Sequence, residues 1–63
     1  MTKNITGYLV RNGKGEIIGA TGDEREAIYI ARNFKGIVFK IVTTVSPLDN
    51  PKTVQTIAYN GLI

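Results

Sequence analysis

The chain has 63 residues, 43% of them apolar and 21% charged, with a net charge of +3 and no cysteine, histidine or tryptophan. That length leaves room for one small α+β-sized domain over residues 1–63, marginal because a chain this short buries only about 60% of the surface it exposes when unfolded. The composition is too apolar for a disordered tail. The missing Cys and His exclude disulfide staples, thiolate zinc sites and His-dependent nucleophilic catalysis.

Ile5 to Arg11 and Glu16 to Ala20 read as two strands joined through Asn12-Gly13-Lys14-Gly15. Asn-Gly between two such runs is a strong hairpin signal, because the central residues of a type I′ turn need positive φ. A two-residue loop would face Leu9 with Glu16. A four-residue loop would pair Arg11 with Glu16 and Leu9 with Ile18, the better match of charge and apolarity, and is the expected register.

Thr21-Gly-Asp-Glu24 fits the S/T-x-x-E capping box, so a helix is expected from Thr21, with Asp23 and Glu24 favouring the positive end of its dipole. At 100° per residue Ala27, Ile30, Ala31 and Phe34 form the expected core stripe, and Gly36 is the expected left-handed stop. From there the period changes to 2. Ile37, Phe39, Ile41 and Val45 point one way; Val38, Lys40, Val42 and Thr44 point the other. This is the expected inner strand. Ser46 to Lys52, with two prolines, reads as a loop, and Thr53 to Tyr59 as the last strand.

The order is ββαββ: an α+β domain with a four-stranded, mostly antiparallel sheet and one helix packed on one face. Two wirings fit that order. One is β-grasp-like, with the first and last strands parallel and central; the other is a simple antiparallel sheet.

No motif carries chemistry. The one serine, Ser46, sits beside Pro47 with no base available to it, and the carboxylates at 23, 24 and 26 are accounted for by helix capping. Gly13-Lys14-Gly15 lacks the P-loop pattern and opens no helix. The expectation is a non-enzyme with no cofactor and no metal. The N-terminus lacks a signal-peptide core, and the longest apolar run is far short of a bilayer span, so a soluble cytoplasmic protein without membrane attachment is expected.

Function then rests on surfaces. Arg25, Tyr29 and Arg32 lie within about 60° of one another on the outer face of the helix. Tyrosine and arginine are the residues most enriched at binding hot spots. Lys35 and Lys40 are expected to extend this patch toward the third strand. A second candidate is the hairpin face carrying Tyr8, Val10 and Ile17. One helix covers only one side of a four-stranded sheet, so several apolar side chains stay exposed, favouring a partner or a homodimer.

A hairpin, a capped helix of about a dozen residues and then Phe34-Lys-Gly-Ile-Val-Phe-Lys-Ile-Val-Thr-Thr-Val45 resembles the plan of small phage-encoded host-takeover proteins. Some anti-CRISPR proteins look like this, as does the short RNA polymerase inhibitor of T7-like phages. The resemblance covers residues 5–59 and implies a stoichiometric blocker that docks in the host cytoplasm on an enzyme such as a CRISPR effector or RNA polymerase. The net positive charge departs from acidic DNA-mimic inhibitors. The alternative expectation is a small nucleic-acid-binding or transcription-regulating domain, with Arg11, Lys14, Arg25, Arg32, Lys35 and Lys40 on phosphates.

Overall fold

The computed structural model describes residues 2–63. Five elements follow in the order expected: β1 (Lys3–Asn12), β2 (Ile17–Thr21), α1 (Glu24–Phe34), β3 (Gly36–Ser46) and β4 (Asp49–Asn60). All pairings are antiparallel, and the strands lie in the order β2-β1-β3-β4. The simple antiparallel wiring is therefore the one adopted, with the first and last strands apart. The longest ladder joins β1 to β3 from Lys3↔Val45 to Asn12↔Gly36. Among the described residues no helix is long and apolar enough to cross a membrane.

The hairpin turn differs from both expected loops. Gly15 N–H donates to the Asn12 carbonyl at 3.0 Å, and Gly15 takes φ 83°. This is a three-residue loop with a left-handed glycine, the second commonest hairpin design, and here the Asn12 side chain holds it by accepting from the Lys14 and Glu16 N–H groups. Arg11 consequently pairs with Ile17 and Leu9 with Ala20, with a bulge at Ile18 between them. The bulge turns Ile18 toward the helix, where it packs on the core.

The second connection is also tighter than expected. Pro47 and Leu48 alone make the turn, with Ser46 paired to Asp49, and Pro51 lies inside β4. The pairs Ser46↔Asp49 and Thr44↔Lys52 place Asn50 and Pro51 opposite Val45, so the proline occupies a bulge on an edge strand. There its missing N–H breaks no regular ladder bond.

The helix begins two residues later than the capping box implied. Asp23 is the N-cap and accepts from Arg25 N–H at 2.9 Å; Thr21 accepts from Asp23 N–H and donates to the Glu26 carboxylate. The threonine thus supports the cap from outside. At the other end Lys35, not Gly36, takes the left-handed conformation, with φ 51°. Gly36 serves close packing. A Cβ there would meet the Arg11 carbonyl oxygen at 2.8 Å and Val10 Cγ1 at 2.9 Å.

The core is small: Val10, Ala27, Ala31 and Val38 are completely buried, with Tyr8, Ile18, Ile28, Ile30 and Tyr59 packed around them. Each fully buried valine contributes about 2 kcal/mol. Phe34, expected in the core stripe, is 69% exposed. Gly36 and the Gly61 backbone, whose N–H donates to the Gly36 carbonyl, fill the space beneath the last helical turn, leaving none for a phenyl ring.

Candidate docking site on the helix outer face

The cap network at Thr21, Asp23 and Glu26 fixes where the helix starts and hence which residues face outward. Ala27 and Ala31 press on Val10 and Val38. The 3.6-residue period then turns Arg25, Tyr29 and Arg32 to solvent. These three line one shallow groove of about 530 Å³ together with Ile28 and Asn33. Tyr29 is 63% exposed, and the Asn33 amide donates to the Tyr29 carbonyl at 2.8 Å. The groove thus combines two guanidinium groups, an accessible phenol ring and an apolar wall from Ile28. Such a surface suits a partner offering carboxylates or phosphates beside an apolar or aromatic group.

The other sequence-derived candidates lie elsewhere. Lys35 sits at the helix C-cap and Lys40 in the middle of β3, and neither lines the groove. Lys40 stands directly across the β1–β3 ladder from Tyr8, on the side of the sheet that carries the helix. Tyr8 itself is half-buried against the core, and Val10 is fully buried. The hairpin face expected to carry Tyr8, Val10 and Ile17 as one exposed patch therefore does not exist. Strand alternation puts Tyr8 and Val10 beneath α1 and Ile17 on the reverse side. Desolvation, reinforced by the nearby Glu24 and Asp23 carboxylates, raises the Tyr8 phenol above its ordinary pKa.

Ile28, Asn33 and the exposed Phe34 are surface contributors that sequence reasoning did not single out. For Asn33, one position after Arg32 on the exposed side of the helix, helical spacing was signal enough. For Phe34 no local signal existed.

The basic residues named for phosphate binding are dispersed. Arg11 Nη1 donates to the Gly15 carbonyl at 2.8 Å and braces the hairpin, while Lys14 occupies its tip. Among the described residues no group of three or more His, Cys, Asp or Glu side chains is placed to hold a metal ion. No family model matches this sequence, and neither curated proteins nor solved structures gave a match.

Proposed function

We propose that this protein is a non-enzymatic binding module that docks on a partner macromolecule through the outer face of α1 and occludes the surface it covers. The observation that carries the reading is the groove in which Arg25, Tyr29 and Arg32 converge with the apolar wall of Ile28. The partner class that fits is a protein with acidic and apolar groups side by side. Within that class, the phage-type resemblance of the ββαββ plan favours a host enzyme that handles nucleic acid, such as a CRISPR effector or RNA polymerase, blocked one to one.

Affinity capture from bacterial lysate with the wild-type protein and with Tyr29→Ala/Arg32→Ala, each with and without nuclease, tests this. One enzyme retained in stoichiometric amount by the wild type, resistant to nuclease and lost with the double variant, is the expected result. Loss of about 2 kcal/mol or more in binding marks true anchor residues. Retention within twofold by a folded double variant overturns the site.

A second reading, a nucleic-acid-binding domain, draws on the groove's charged lining being arginine alone. Its signature is affinity falling steeply with salt, roughly as the 0.9 power of salt concentration per duplex phosphate contacted. Nuclease-sensitive capture that disappears at high salt selects it.

A further inference from the structure

Alternation along the ladders places Leu9, Ile37, Phe39, Ile41 and Ile57 on the side of the sheet away from α1. Leu9 pairs with Phe39, which pairs in turn with Ile57, so an apolar band crosses β1, β3 and β4. No helix lies over it; Leu9, Ile37, Phe39 and Ile41 are half-buried by their neighbours within the sheet. Ile57 is 62% exposed and Ile5, further along the same face, 53%. The formal charges on this face are Lys3 and Arg11 at the two ends of β1, and Arg11 is already engaged with the hairpin. Polar side chains on this face, Thr43, Thr53 and Gln55, gather on β4 and the far half of β3, and the band from Leu9 through Phe39 to Ile57 has none.

We propose that this bare face is the interface with a second copy of the chain, giving a two-fold dimer in which the sheets pack face to face and the helices lie outside. Three observations favour a second copy over a foreign partner. The first is size: the molecule extends 41 × 20 × 16 Å, so complete overlap of two sheet faces covers at most roughly 800 Å² a side, the share each partner contributes to a standard stable interface. The second is the core. With four apolar residues fully buried, the fold has a small interior and gains stability from covering this face, and a second copy is always present in equal amount. The third is charge: with basic residues alone at the margins and an apolar centre, two copies can juxtapose the band without burying an unpaired carboxylate.

The dimer carries the two Arg25–Tyr29–Arg32 grooves on opposite outer surfaces, so it goes beyond the docking reading and stands independently of it. Face-to-face packing also shields Phe39 and Ile41 while leaving the edges of β4 and of the Lys3–Gly7 part of β1 free, in contrast to edge-to-edge pairing.

β4 supplies a matched pair of probes. Ile57 (62% exposed) lies on the bare face, opposite Phe39, and Val54 (60% exposed) lies on the helix side, opposite Val42. Sedimentation equilibrium and concentration-dependent thermal melts of the wild type, Ile57→Lys and Val54→Lys read the interface directly, with circular dichroism as the check on folding. The wild type is expected to be dimeric in the micromolar range, with a melting temperature that rises with concentration. Ile57→Lys is expected to weaken the dimer by about a hundredfold or more, and Val54→Lys by less than about threefold. A monomeric, concentration-independent wild type overturns the proposal. So does an equal effect of the two lysines, whether on association, which marks edge pairing, or on folding, which shows that the two faces are alike. Partner capture plays no part in these readouts, so failure of the dimer and failure of the docking site are told apart.

Discussion

The two faces of the sheet follow different rules, and the contrast shows what the chain provides for itself. On the helix side, apolar residues occur where α1 lies above them: Tyr8, Val10, Ile18, Val38 and Tyr59. Beyond the helix that face turns polar, with Asn4, Thr6, Thr44 and Lys52, and the Thr44 hydroxyl donates to Asn4 at 3.0 Å. Eleven helical residues reach about 16 Å, less than half the length of the twelve-residue strand β4. One apolar pair departs from that pattern, Val42 with Val54, and Val54 is 60% exposed. On the reverse side Ile5, Leu9, Phe39 and Ile41 run along the sheet with no helix over them; the polar residues there include Gln55, opposite Ile41, and the Thr43–Thr53 pair, satisfied internally at 3.2 Å. The reverse face has the larger apolar excess and no helix over it, and that excess is what points to cover from outside the chain.

The sharpest way to break this comparison is to truncate neighbouring residues that point to opposite faces. Val38→Ala removes buried methyl groups under the helix and is expected to cost about 3 kcal/mol in urea unfolding at every protein concentration. Phe39→Ala is expected to destabilise by an amount that grows as the protein is concentrated, because its contacts include the second copy. If both costs are independent of concentration, the two faces are equivalent and the contrast is lost.

Gly36→Ala examines how closely the covered side is packed. Its methyl would press on the Arg11 carbonyl and on Val10, backbone and core atoms with little freedom to move, and a loss of about 2 kcal/mol is expected by the same denaturation assay. Lys35→Gly should act in the opposite direction. It relieves a left-handed conformation at the helix stop and is expected to raise stability by about 1 kcal/mol, with the dimer equilibrium unchanged.

The smallest effect belongs to Tyr8. Its raised folded-state pKa means that its contribution is fully present below the ordinary tyrosine value of about 10 and is lost as the pH rises through the raised value. The melting temperature should accordingly fall on alkaline titration. Tyr8→Phe should flatten that part of the profile, and an unchanged profile would remove the Glu24 interaction from the account.

Some of this molecule was determined by the sequence alone. The element order followed from local signals: Asn12-Gly13-Lys14-Gly15 for a turn, Thr21 to Glu24 for a helix start, and the change of period at Gly36 for a strand. The outer helix face was equally legible, since 3.6 residues per turn places Arg25, Tyr29 and Arg32 together whatever lies beneath. Alternation separated Ile37, Phe39 and Ile41 from Val38 and Lys40 before any partner strand was known.

Tertiary structure decided the rest, because each remaining question depends on distances between segments far apart in sequence. Ladder geometry selected a three-residue loop and a bulge at Ile18 over the pairing that charge matching favoured. The edge position of β4 let Pro51 sit within a strand, which proline signals alone could not show. Close approach of Gly36 and Gly61 to the end of the helix expelled Phe34 from the core stripe, although its angular position is correct. The side on which the helix lay decided the most. Periodicity divides a strand into two faces but cannot say which one a helix will cover. Packing of Ala27 and Ala31 on Val10 and Val38 made that choice and left the band around Phe39 bare.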